Sequence, residues 1–174
     1  MQKRHFLTGG VALAAGVAGA GWAWWRLTPK SVSPTAMDLL WAQVFDDPNG
    51  ESLLMSQFKG KPLLVNFWAT WCPPCVEEMP LLNTFYQAQR EQGWTVVGLA
   101  IDQPSAVRQF LERMPMAFPI GLAGLAGTEL GRELGNERGA MPFTVVINSQ
   151  GDITHRKLGQ VFPDDLAAWA RTTT

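Results

Sequence analysis

The chain has only two cysteines and two histidines among its 174 residues, and that scarcity sets the first limit on its chemistry. The cysteines are Cys72 and Cys75, and the histidines are His5 and His155. No second Cys pair exists, so the four ligands of a zinc site cannot be assembled from Cys and His, and no metal is expected. Acidic residues are missing from the first 37 positions, Asp38 being the first. Lys3, Arg4, Arg26 and Lys30 all precede it, which leaves ten basic against fifteen acidic residues from Asp38 onward. A domain with that balance has no electrostatic footprint for nucleic acid. Charged residues make up 17% of the chain and hydrophobic ones 47%, proportions that exclude a disordered chain and allow one domain with a proper core.

Both cysteines lie in the stretch Phe67-Trp68-Ala69-Thr70-Trp71-Cys72-Pro73-Pro74-Cys75. The preceding run, Leu63 to Trp68, is short and mostly apolar, β-branched or aromatic, as in a strand buried within a sheet. Pro73 disfavours the α region for Cys72 and sits well at a first helical position, so a helix is predicted from Pro73 with Cys72 as its cap. The positive end of a helix favours a thiolate, which makes Cys72 the attacking sulfur. Cys75 lies one turn further on the same face, where its sulfur can close a disulfide with Cys72 and release a mixed-disulfide partner. A purely structural disulfide here would close so short a loop that it would add little stability.

Trp-Cys-Pro-Pro-Cys following a Val-Asn-Phe-Trp-Ala-Thr strand resembles the TlpA/ResA branch of thioredoxin-fold thiol:disulfide oxidoreductases, over roughly residues 38 to 171. The resemblance implies an α/β protein with a mixed central β-sheet flanked by helices, an N-terminal β-hairpin extension and a central insertion. It also implies a Glu near the cysteines, matched here by Glu78, and a cis-proline facing the disulfide, matched by Pro142 after Met141. An exposed backbone at Met141 would then pair with an extended segment of a client protein.

The segment 1–26 reads as a signal peptide or membrane anchor. Basic residues open it, and Phe6 to Trp25 is an uncharged run of twenty residues, long enough to cross a bilayer as a helix. Lys3-Arg4-His5-Phe6-Leu7 resembles a twin-arginine export signal with Lys in the first arginine place, and Ala18-Gly19-Ala20 offers a cleavage site. Cleavage there would leave Trp22, Trp24 and Trp25 near a new terminus, whereas in an anchor they sit at the membrane–water interface, the reading favoured here. Residues 27–37, with Pro29 and Pro34, read as a linker, and 38–174 as the thioredoxin-like domain.

Within that domain the pattern predicts a strand over Trp41 to Phe45, returning after the turn formers Asp46 to Gly50 over Ser52 to Met55. The helix from Pro73 is expected to reach about Gln92, with a kink at Pro80. A strand follows over Thr95 to Ile101, then a helix over Pro104 to Met114, a strand over Phe118 to Leu122 and a helix over Thr128 to Leu134. Phe143 to Ile147 and Asp152 to Leu158 form a hairpin, and Asp164 to Arg171 a last helix.

Thiol exchange needs an acid–base group. Thioredoxin has a buried Asp where this chain has Asn66, which cannot titrate. Glu78, one turn beyond Cys75, is the candidate, with the alternative that Glu77 and Glu78 only complement the helix N-terminus. Trp71 is assigned to the substrate face beside the disulfide, and Trp68 to the packing around it. Thr70 echoes a peroxiredoxin Thr-x-x-Cys pattern but stands one residue too close to Cys72. His155 reads as a surface residue and Asp102 as the cap of a turn.

The function implied is an exported or membrane-tethered thiol:disulfide oxidoreductase needing no cofactor. It is read as a monomeric reductase of protein disulfides on the periplasmic side of a bacterial inner membrane, with apocytochrome c as one client and a membrane-embedded electron relay as reductant. A peroxiredoxin-like peroxidase, and a non-catalytic module binding a client or copper, are the alternatives.

Overall fold

The computed structural model describes residues 35–173; the expected signal or anchor and most of the linker lie outside them. Helix α1 (Ala36–Ala42) is capped reciprocally, with the Asp38 N–H donating to Thr35 Oγ1 at 3.1 Å and the Thr35 N–H to Asp38 Oδ2 at 3.0 Å. This corrects the reading of Trp41 as strand and of the linker as reaching Met37. The Thr-x-x-Asp box starts a helix, and Leu40 on its inner face is fully buried.

Strands β1 (Val44–Asp46) and β2 (Ser52–Leu54) form the expected hairpin, shorter than predicted. The Asp47 carboxylate closes its turn by accepting from the N–H groups of Asn49 and Glu51, both at 2.8 Å. A 3₁₀ turn leads to β3 (Leu63–Trp68). Then come α2 (Pro73–Gln89), β4 (Thr95–Ala100), α3 (Pro104–Arg113), β5 (Ile120–Leu122), α4 (Gly124–Glu133), β6 (Phe143–Ile147), β7 (Ile153–Leu158) and α5 (Pro163–Thr172). Helix α4 begins four residues before its predicted start. Gly127 lies inside this helix, and a Cβ there would lie 2.7 Å from that of Ala123 and 3.1 Å from Ile101, so Gly127 serves close packing.

The described strands make one mixed sheet in the order β2-β1-β5-β4-β3-β6-β7, with β3, β4 and β5 parallel and β6 antiparallel to β3. All six residues of β3 are buried. Leu64 and Trp68 face a core closed by α2, α3 and α5, with Met79, Leu82, Phe110 and Trp169. Leu63, Val65 and Phe67 face a second core closed by α1 and α4, with Leu40, Leu130 and Leu134. Helices on both faces explain why β3 reads as a continuous apolar run. They also place the ends of the parallel strands, and with them the start of α2, at one edge of the sheet.

Gly98 of β4 pairs with Asn66 on one side and Ile120 on the other. A Cβ there would sit 2.7 Å from Ile120 Cδ1 and 3.1 Å from Trp68 Nε1. Gly98→Ala is therefore expected to lower stability by about 1–3 kcal/mol through overpacking, measured by urea unfolding. An unchanged midpoint would mean that Ile120 swings aside without cost.

Candidate active site

The chain leaves β3 at Trp68 and turns through Ala69 to Trp71. Cys72 caps α2 in extended conformation (φ −100°, ψ 101°), and Pro73 and Pro74 are the first helical residues. The Cys72 N–H donates to the Ala69 carbonyl at 3.3 Å, and its own carbonyl accepts the Val76 N–H at 3.1 Å. Cys72 and Cys75 are joined as a disulfide, with S–S 2.06 Å and Cα–Cα 5.3 Å. Cys75 is fully buried and Cys72 is 5% exposed, so Cys72 is the sulfur nearer to solvent.

The turn before Cys72 is braced from β4. Asp102 Oδ2 accepts from the Thr70 N–H at 2.8 Å and from its hydroxyl at 2.6 Å, while Oδ1 accepts the Gln103 N–H at 2.7 Å. Asp102 thus caps the turn at the start of α3, as expected, and also holds the loop that carries Trp71. Trp71 is 65% exposed, whereas Trp68 is fully buried in the core that holds both cysteines, its ring 5.0 Å from Phe110. His155 is half-buried, with its ring 5.9 Å from that of Trp169.

The Met141–Pro142 bond is cis. Its loop is fastened on both sides: Asn136 Nδ2 donates to the Ala140 carbonyl at 2.8 Å, and the Gly159 N–H donates to the Pro142 carbonyl at 2.8 Å. Met141 packs against the cluster containing Cys72 and Cys75. The structure therefore brings Cys72, Cys75, Glu78 and Met141 into one neighbourhood, while Trp71 stands out from it toward solvent.

Glu78 is 1% exposed. Its Oε1 accepts from Asn66 Nδ2 at 2.7 Å, and its Oε2 accepts from the Val161 N–H at 2.6 Å. Asn66 Nδ2 also donates to Thr144 Oγ1 at 3.0 Å. Burial raises the Glu78 pKa from 4.5 to about 7, against the opposing pull of the Val161 N–H, the Asn66 amide and the Lys157 charge. Glu77, its neighbour, is exposed. Sequence reasoning did not find Thr144 or Val161. Val161 contributes a main-chain donor, which no residue type announces, but a polar Asn66 in an otherwise apolar strand was a visible signal.

An open groove of about 720 Å³ lies elsewhere, between the β1–β2 turn and the end of α3, and none of these residues lines it. Of the two cysteines only Cys72 reaches the surface, next to the exposed Trp71.

The Redoxin family model matches residues 35–168, most of the chain. The chain belongs to the Redoxin family. It is 29% identical over 133 residues to the thiol-disulfide oxidoreductase ResA of Bacillus cereus, covering 75% of this chain and 74% of that protein. The ResA of Geobacillus kaustophilus is 29% identical over 140 residues, covering 80% and 76%. Among solved structures, a thioredoxin-family thiol:disulfide interchange protein from Chlorobium tepidum matches with TM-score 0.65 and 26% identity, over 83% of this chain and 99% of that one. StoA from Bacillus subtilis matches with TM-score 0.60 and 26% identity, over 74% and 95%. The fold is thioredoxin-like.

Between pH 4.5 and about 7 an unfolded Glu78 has lost its proton while the folded one retains it. Stability of the oxidised protein should therefore fall as pH rises through that window, by roughly 3 kcal/mol from this group, and level off above it. Glu78→Gln is expected to remove that slope, measured by urea unfolding at pH 5, 7 and 8.5. A slope that survives in the variant belongs to other groups.

Proposed function

We propose that the protein is an exported or membrane-tethered thiol:disulfide oxidoreductase that reduces disulfides of client proteins, with Cys72 as nucleophile, Cys75 as resolving thiol and Glu78 as the proton acceptor for Cys75. The observation that carries this reading is the cysteine pair at the N-terminus of α2 with a buried carboxyl one turn further along the same helix.

In the reduced form the Cys72 thiolate attacks one sulfur of the client disulfide, forming a mixed disulfide and expelling the other client sulfur as a thiolate. Cys75, which has no access to solvent, gives its proton to the Glu78 carboxylate and attacks the Cys72 sulfur. The Cys72–Cys75 disulfide forms, the second client thiolate leaves, and two electrons have passed to the client. Glu78 then releases the proton it took from Cys75 to solvent, and the two client thiolates take up one proton each from solvent, which balances the protons given up by Cys75 and, earlier, by Cys72. A carboxyl group whose pKa lies near ambient pH suits both acceptance and release of a proton. Trp71 and the backbone at Met141 border the path of the client, which binds as an extended segment beside Pro142.

The basic start and the uncharged run Phe6 to Trp25 support a position outside the cytoplasm, on the periplasmic side of the inner membrane. An oxidising compartment requires a reductant, so a membrane-embedded relay is proposed as the electron source. Apocytochrome c, whose haem-attachment thiols must be reduced, is the client proposed.

The test is the reduction potential, followed by Trp fluorescence in defined dithiol and disulfide buffers. A value near or below about −270 mV supports the reductase, and one near about −120 mV would make the protein an oxidant of folding clients. Glu78→Gln should flatten the pH dependence of exchange near neutrality. Cys75→Ser should trap the mixed disulfide, and Cys72→Ser should abolish exchange. Rapid sulfenic acid formation at Cys72 with peroxide, without disulfide exchange, would replace this reading by a peroxidase.

A further inference from the structure

The carboxylate of Glu78 is held between two donors of different kinds. Val161 offers a main-chain N–H, which can only donate. Asn66 offers a side-chain amide, which can present either a donor or an acceptor by turning over. In the arrangement seen, the amide gives one proton to Glu78 Oε1 at 2.7 Å and the other to Thr144 Oγ1 at 3.0 Å. Its carbonyl, Oδ1, is buried with no hydrogen-bond partner among the described residues. An orphaned acceptor in a closed core raises the free energy of the state that contains it.

That state suits an ionised Glu78, since both carboxylate oxygens accept. A proton on the side of Oε2 that faces Val161 would meet a donor that cannot turn, whereas one on the side of Oε1 that faces Asn66 would meet Nδ2, a donor that can. If the amide turns, Oδ1 takes the place of Nδ2 and accepts both the new carboxyl O–H and the hydroxyl proton of Thr144. The NH₂ group then occupies the position that Oδ1 holds now, without a partner. Each protonation state is thus hydrogen-bonded to Glu78, and each leaves one amide atom unpaired. Neither state is strongly preferred, a balance that an aspartate or an apolar residue at this position could not provide.

We propose that Asn66 is a positioning residue for the proton on Glu78: its amide presents Nδ2 to the carboxylate and turns over, with Thr144 reversing its hydroxyl, to present Oδ1 to the carboxylic acid. The proposal rests on the reading of Glu78 as the proton acceptor. It goes further in giving the exchange of that proton a moving part in β3. Other charges around the group are few. Lys157 of β7 acts on Glu78 through its charge and is paired with Asp165 of α5 at 2.6 Å. Glu77 of α2 is exposed, His155 of β7 faces Trp169 and Thr154, and the cysteines of the oxidised protein carry no charge.

The experiment uses the full oxidised chain, in which neither cysteine titrates. The Glu78 side-chain carboxyl carbon is followed by NMR from pH 4 to 9, together with the Asn66 NH₂ resonances and their proximity to the Thr144 side chain. His155 is separated by its own ring signals. The expected result is that the Asn66–Thr144 contact of the NH₂ protons is present at high pH and lost at low pH, with the midpoint of Glu78. An NH₂ group that keeps this contact on both sides of the Glu78 midpoint overturns the proposal and leaves the role of Glu78 intact. A Glu78 that does not titrate in this range overturns both. Asn66→Leu, which keeps the shape, removes a partner of both protonation states, so a turning amide predicts little movement of the Glu78 midpoint in the folded variant, whereas a rise of about one unit or more means that Asn66 serves the carboxylate alone and overturns the proposal.

Discussion

Strand β3 is buried on both faces along its whole length, and most of the molecule answers to that constraint. A strand with no solvent face needs a helical layer on each side, and α2, α3 and α5 on one face with α1 and α4 on the other supply them. The same constraint isolates Asn66. Its amide cannot reach water, so it must find partners in neighbouring elements, and it does so on α2 and β6. The polar core of the candidate site is therefore a consequence of how the sheet is closed.

A buried carboxyl beside a disulfide is tolerated because both of its oxygens are occupied. Desolvation alone would push Glu78 far toward the neutral acid, and the two donors with the Lys157 charge favour the carboxylate and hold its pKa at about 7. The loop on the opposite side of the cysteines is governed differently. Asp102 fixes Thr70 through two hydrogen bonds, so the exposed ring of Trp71 projects from a turn already held in place. A client docking there, as proposed, would meet a preorganised edge, with little ordering of the loop left to be done on binding.

The strand–turn–helix around the cysteines was legible because each of its residues acts locally. A short apolar run, a proline after Cys72 and a three-residue spacing all speak through the chain itself. Glu78 was legible as a candidate by its turn relation to Cys75, though its burial depends on β3, β6 and the segment after β7, far away in sequence. Helix α1 was misread because the apolar residues Trp41 to Phe45 were weighed and the Thr35–Asp38 box before them was not. Helix α4 starts before the expected Thr128, and the glycine at 127 fits within it because Ala123 and Ile101 leave no room for a side chain there. What the sequence could not convey was pairing between distant segments: Thr70 with Asp102, Asn66 with Thr144, and Glu78 with Val161.

The last of these contacts has a bearing on how such a protein can vary over time. Val161 serves Glu78 through its main chain, and every amino acid except proline carries that N–H. Exchange of the valine for another apolar residue leaves the donor in place as long as the backbone keeps its path. Selection on this contact falls on the trajectory of the segment between β7 and α5 and is blind to the letter at position 161. A comparison of sequences would then find no fixed residue there to mark one of the two groups that grip the buried acid.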